Sequence, residues 1–300
     1  PKFNLLDKPS LVNVHTKSVP TGSGIIFLVI FFISIGIFFL FDQNFLSYLP
    51  KNYLVLFFGI LILSLLSFYD DIKNIHPIIR LFVQLTLVML CTSSLYLSNT
   101  FLPFKLVLFL CIYFWVYLIN IINFTDGSDG FLAVNSSFYF LSIILLQLNY
   151  EITISFYFSL FILPVIIGYL LFNKPPAKIF MGDTGSVFIG FVIGFISLES
   201  ALNGHYNIVI SILAYPFLDC TITLIKKVLN GHYPWARMFD YYFLYPLKNN
   251  KEHIHVFIPN LIFNILNFLI VITQIFYNLK LMCILSIFLS LCLILNFKKN

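Results

Sequence analysis

The stretch Asn120-Ile-Ile-Asn-Phe-Thr-Asp-Gly-Ser-Asp-Gly130 is a short polar run between two apolar segments, residues 101–119 and 131–148. Each segment is long enough to cross a bilayer. Within the run Asp126 and Asp129 stand three apart, Asn120 and Asn123 have the same spacing, and a glycine follows each aspartate. Polar groups at the end of a membrane span are disfavoured unless water or a ligand meets them. Glycines let the backbone turn tightly and approach a ligand closely. The run therefore reads as one wall of a substrate site at a helix end, and it sets the fold class: an all-α, polytopic integral membrane helix bundle.

The composition agrees. Of 300 residues, 60% are apolar and 10% charged, with a mean hydropathy of +0.97. Soluble domains run near a quarter charged, so a globular domain with a large core is excluded. Cys91, Cys111, Cys220, Cys283 and Cys292 all lie in apolar segments without metal-ligand spacing, and read as small buried apolar residues.

Apolar segments cover about 24–41, 52–69, 77–98, 101–119, 131–148, 152–172, 187–202, 206–225, 256–277 and 280–297. A helix of about 20 residues spans the hydrocarbon core, so about ten transmembrane helices are expected. They form a single membrane-embedded domain over residues 1–300, its active site built from the loops on one side. If the spans alternate, one side receives 14 of the 17 Lys and Arg residues, and the other only Lys51, Lys105 and Lys280. The positive-inside rule makes the richer side cytoplasmic. Every chemically suggestive cluster falls on that side.

Asp70-Asp71 arrives there at the end of a helix, followed by Lys73, Pro77, Arg80 and Gln84. Two adjacent carboxylates at the negative end of a helix dipole are doubly disfavoured. A divalent cation or a base role would explain them; an acidic surface turn closed by Lys73 is the alternative. Asn173-Lys-Pro-Pro-Ala-Lys178-Ile-Phe180-Met-Gly-Asp183-Thr-Gly-Ser186 runs straight into a helix. Free backbone N–H groups at a helix start favour phosphate, and two glycines and two lysines exceed what a lone Asp183 N-cap needs.

Asp219 lies inside an apolar span, either as a site member or as the partner of a nearby Lys or Arg. Arg237, His253 and His255 fill the long loop before the ninth segment. Arg237 offers a forked donor for phosphate or carboxylate. The His-x-His pair, taken alone, reads as a solvated surface pair.

This ordered set resembles the polyprenyl-phosphate N-acetylhexosamine-1-phosphate transferases, glycosyltransferase family 4, relatives of phospho-N-acetylmuramoyl-pentapeptide transferase. The resemblance rests on Asp7-x-Pro9, His15, Pro20-Thr-Gly22-x-Gly24, Asp70-Asp71 with Arg80 and Gln84, Asn120 to Gly130, Pro176 to Ser186, and the proline and Asp219 of a late span. It implies transfer of a sugar 1-phosphate from a UDP-sugar to polyprenyl (undecaprenyl) phosphate, with release of UMP. It also implies Mg²⁺ as cofactor, with Mn²⁺ as a substitute.

Carried over motif by motif, the resemblance gives Asp70, Asp71 and Asp126 catalytic roles, Asp70 at the lipid phosphate. Asp183 and Asp71 become metal ligands. Asn173, Phe180, Asp126 and Asp129 become nucleotide-side residues, with uracil near Asn173, Phe180 and Asp129. Asn120, Asn123, Lys178, Arg80, Arg237, His253 and His255 are the remaining substrate contacts. A multi-pass protein of the bacterial inner membrane, a cytoplasmic site, no nucleic-acid partner, a homodimer and a further helix before Pro1 complete the expectation.

The run His253-Ile-His255-Val256 departs from the His-rich ending of the peptidoglycan branch, and with Arg237 and Asp240-Tyr-Tyr looks closer to the O-antigen or capsule-initiating type. A lipid-sugar flippase is the main competing class. Transporters place polar residues near the midplane and show repeat halves, whereas polar residues here cluster at one face. A CDP-alcohol-type phosphotransferase gathers its aspartates near one helix, whereas here they are spread over four segments.

Overall fold

The computed structural model describes residues 6–7, 18–41, 53–73, 75–96, 104–233 and 240–299. Pro9, His15 and Arg237 lie outside the described residues. Among the described residues the long helices are α1 (Gly24–Phe41), α2 (Tyr53–Lys73), α3 (Pro77–Tyr96), α4 (Phe104–Phe124), α5 (Phe131–Asn149), α6 (Ile154–Asn173), α7 (Gly182–Ser200), α8 (Tyr206–Leu229), α9 (Ile254–Tyr277) and α10 (Cys283–Lys299). One two-residue antiparallel pair joins β1 (Leu6–Asp7) to β2 (Val19–Pro20). The chain is an all-α polytopic membrane protein.

α7 and α8 run on as one apolar helical stretch of 48 residues, Gly182–Leu229. At 1.5 Å per residue that is about 72 Å, more than twice the hydrocarbon thickness. A π-helical turn over Ala201–His205, with Gly204 at φ +90°, kinks the stretch and makes it two spans. Among the described residues nine helical stretches are long and apolar enough to cross a membrane, ten with the Gly182–Leu229 stretch taken as two, in line with the expectation of about ten. Several of them extend beyond their apolar segments with polar groups, among them α2, which runs on through Asp70–Lys73, α4, through Asn120–Asn123, and α7, which begins at Gly182 rather than near Val187.

The chain forms two compact units. The first contains Thr21–Asn123 and Met181–Leu198, that is α1–α3 with most of α4 and α7. Here α1 and α7 meet backbone to backbone. The Gly24 N–H donates to the Met181 carbonyl at 2.9 Å. A Cβ on Gly185 would sit 3.0 Å from the Gly24 Cα, so neither position has room for a side chain. Trp115 of α4 is fully buried and donates its indole N–H to the Phe191 carbonyl of α7 at 2.9 Å.

The second unit holds Leu6–Pro20, Phe124–Phe180 and everything from Glu199 onward. Its α9 buries four amides alongside Val256, Phe263, Val271 and Ile275 and turns apolar side chains outward. Asn260, Asn264, Asn267 and Gln274 are buried, while Ile258, Ile262, Leu266 and Leu269 are exposed. Asn260 donates to the Phe131 carbonyl, Asn264 to Asn135 Oδ1 at 2.8 Å, and Asn267 to the Ser211 carbonyl at 2.9 Å. In lipid, apolar contact does not drive helices together, and amides that pair across helices do part of that work.

Candidate functional site

In the first unit three carboxylates from two helices gather at one place. Asp70 lies in the last turn of α2, 7% exposed, and accepts from Arg80 Nη1 at 2.6 Å and from the Ile75 N–H. The same Arg80 nitrogen donates to Asp183 Oδ2 in the first turn of α7. One guanidinium of α3 thus bridges carboxylates that are 113 positions apart in the sequence, counting from Asp70 to Asp183.

Asp71 has a different task. Its carboxylate accepts from the Asp183 N–H at 3.0 Å, the Thr184 N–H at 3.1 Å and the Thr184 hydroxyl at 2.6 Å. It caps the start of α7, where unpaired N–H groups and the positive end of the helix dipole both favour an anion. Gly182 makes the approach possible: its φ is +70°, and a Cβ there would lie 2.8 Å from Asp71 Oδ2. The N–H groups of Asp183 and Thr184 at this helix start are thus held by the protein's own carboxylate.

Asn120 and Asn123 of α4 tie helices together. Asn120 donates to Gln84 Oε1 of α3 at 2.8 Å and to the Val116 carbonyl. Asn123 donates to the Ser186 hydroxyl of α7 at 2.9 Å, and Ser186 in turn donates to the Gly182 carbonyl at 3.2 Å.

In the second unit the acidic loop, residues 125–130, is clamped on several sides. Asp129 is 3% exposed; its Oδ2 accepts from the Ala177 N–H at 2.9 Å, and its own N–H donates to His253 Nδ1 at 3.2 Å. His253 Nδ1 also stands 3.4 Å from Asp129 Oδ1 and 3.2 Å from the Ser128 hydroxyl. Asn173 is buried between the loop and the following segment. It accepts from the Gly130 N–H and donates to the Ile179 carbonyl, both at 2.9 Å. Phe180 is half-buried and its N–H donates to the Pro20 carbonyl at 2.8 Å. Asp126 is half-buried, whereas Lys178 and His255 are exposed.

Asp219 meets backbone N–H groups and hydroxyls of its own unit. It is fully buried, and its two oxygens accept from the N–H groups of Tyr242 at 2.9 Å and Phe243 at 3.2 Å, with the Tyr215 hydroxyl at 2.8 Å. An aspartate inside a span costs about 2.5–3.5 kcal/mol on insertion scales, and these bonds offset it. Sequence reasoning missed Tyr242 and Phe243, because a backbone N–H that serves a distant carboxylate leaves no mark on residue type.

The carboxylates of the first unit are all-oxygen donors, the kind a hard divalent cation takes. Asp183 keeps about a third of its side chain exposed. Among the described residues no three His, Cys, Asp or Glu side chains stand ready as an ion cage; Arg80 is the cation between Asp70 and Asp183. The donor chemistry fits Mg²⁺, and an ion arriving there must share those oxygens with the guanidinium.

Residues 53–201 match the model of glycosyl transferase family 4. A probable undecaprenyl-phosphate N-acetylglucosaminyl 1-phosphate transferase of Bacillus subtilis is 29% identical over 245 residues, 76% of this chain and 66% of that protein. A phospho-N-acetylmuramoyl-pentapeptide-transferase of Leuconostoc mesenteroides is 35% identical over 141 residues, 45% of this chain and 42% of that one. One of the same name from Prochlorococcus marinus is 27% identical over 230 residues, 69% and 61% of the two lengths. The chain spans from about two-fifths to just under two-thirds of the length of these relatives.

Proposed function

We propose that the chain, whose residues 53–201 match glycosyl transferase family 4, transfers a sugar 1-phosphate from a UDP-sugar to a polyprenyl phosphate in a bacterial membrane. An oxygen of the lipid phosphate attacks the sugar-bearing phosphorus. The bond from that phosphorus to the oxygen of UMP breaks, UMP leaves, and a polyprenyl diphospho-sugar remains. The observation that carries this reading is the carboxylate–guanidinium cluster of Asp70, Asp71, Asp183 and Arg80.

Both reactants are anions, and phosphoryl transfer is governed by positioning and charge screening rather than by covalent chemistry. Arg80, half-buried and held by two carboxylates, would offer its remaining N–H donors to a phosphate oxygen. Asp70 then accepts from, and so positions, the groups that meet the lipid phosphate. Asp126 and Asp129, with Asn173 and Phe180, are assigned to the nucleotide side. Mg²⁺, when bound by Asp183 and Asp71, would screen the diphosphate charge. Lys178, His253, His255 and Arg237 are further substrate contacts, and the site faces the cytoplasm, consistent with the 14 to 3 split of Lys and Arg.

The sugar is proposed to be an N-acetylhexosamine, and the step the first membrane reaction of a cell-envelope glycan. The relative that matches over 76% of this chain carries an N-acetylglucosaminyl name. The pentapeptide substrate is the second reading, supported by relatives of higher identity over shorter stretches. The test is to incubate membranes holding the chain with undecaprenyl phosphate and a panel of UDP-sugars, then weigh the lipid product. UMP release with a lipid heavier by one N-acetylhexosamine phosphate is the expected result. Lipid unchanged with every donor would overturn the reading.

A further inference from the structure

The loop that carries Asp126 and Asp129 begins after Phe124 and ends at Phe131. Those two rings are the ends of one stacked column. Phe131 stacks on Phe243, with centroids 4.4 Å apart and planes 17° apart. Phe243 stacks on Tyr241 at 6.0 Å and 23°, and Tyr241 stacks on Phe124 at 5.6 Å and 28°. The column therefore straddles the acidic loop. Its middle rings belong to a segment more than a hundred residues further along the chain.

What fixes that segment is Asp219. Its carboxylate accepts from two successive backbone N–H groups, those of Tyr242 and Phe243, one on each oxygen. The Tyr215 and Thr223 hydroxyls occupy further acceptor positions. In this arrangement each N–H group has its own acceptor atom, and among side chains of this length only a carboxylate supplies two. An asparagine would present its amide N–H₂ to one of the two donors. Asp219, Tyr215 and Phe243 are all fully buried, so water cannot replace what such a change removes.

We propose that Asp219 is a positioning residue for the UDP-sugar side of the site. By gripping residues 242–243 it sets the register of Tyr241 and Phe243, and through their stack it holds the loop of Asp126 and Asp129 in shape. This rests on the assignment of that loop to the nucleotide. Asp219, Tyr241 and Phe243 all lie beyond the 53–201 region that matches the family.

The test uses the full chain in detergent or nanodiscs and two variants, Asp219→Asn and Phe243→Leu. The second keeps apolar bulk and both backbone bonds but removes the ring. Backbone hydrogen exchange is followed by mass spectrometry, and KM is measured separately for UDP-sugar and for lipid phosphate.

Loss of a buried partner should speed exchange over 125–130 by about ten- to hundredfold in either variant. Over 241–244 it should speed in Asp219→Asn alone. KM for the UDP-sugar should rise about tenfold while kcat and the KM for lipid phosphate stay within about twofold, the pattern of lost ground-state binding. If exchange over 125–130 is unchanged in Phe243→Leu, the stack does not brace the loop and the proposal falls. If exchange over 125–130 quickens in both variants but only the KM for lipid phosphate moves, the bracing stands and the nucleotide assignment of the loop is overturned instead.

Discussion

Arg80 is the residue on which the first unit's chemistry turns. A guanidinium presents several N–H donors in a rigid plane, so it can satisfy Asp70 and Asp183 together. A lysine carries the same charge at a point and on a looser stem. Arg80→Lys is therefore expected to leave one of the two carboxylates without its partner and to lower UMP release at least tenfold, while the protein inserts normally. Turnover assays on matched membrane preparations check this, and wild-type turnover in the variant would remove Arg80 from the site. Asp71 teaches a related lesson. Two adjacent aspartates at a helix end call for positive charge, and the N-terminus of α7 supplies Asp71 with part of it, as a partial charge from the chain itself.

Helix ends decide the site more than helix interiors do. α2 and α4 each extend past their apolar stretch, and α7 starts before its own, so that Asp70, Asn123 and Asp183 all sit in terminal turns. The contact of α1 with α7 is what keeps the α7 start in place, and it depends on Gly24 and Gly185. A methyl group at either one forces the backbones apart. Overpacking of this kind costs about 1–3 kcal/mol and sometimes more. Gly185→Ala is expected to lower the thermal midpoint in detergent and to impair turnover with it, because Asp183 and Thr184 immediately precede the contact. Gly36→Ala, where a Cβ meets nothing within 4 Å, is the control and should leave both unchanged.

At the scale of the molecule, the proposed reaction brings two anions together beside carboxylates, and this predicts a metal requirement. EDTA should abolish UMP release, and Mg²⁺ or Mn²⁺ should restore it. Activity that survives exhaustive chelation would mean that Arg80 and the α7 start suffice for screening. Asp183→Asn should raise the Mg²⁺ concentration needed for half-maximal activity, because a neutral amide is the weaker ligand for a hard cation.

Much was legible from residue order alone. Hydropathy is local, and a bilayer demands about 20 apolar residues per crossing, so ten spans could be counted before any contact was known. The acidic clusters were visible for a similar reason, since charge is rare in such a chain and each aspartate needs an explanation. Tertiary structure alone decided the partners. Nothing in the types of Asp70, Asp71 and Asp219 distinguishes a carboxylate that meets a guanidinium from one that caps a foreign helix or grips two backbone N–H groups. Those outcomes depend on which helix end arrives beside which side chain, and packing over separations of 103 and 112 residues for Asp183 with Arg80 and with Asp71 is what sets it.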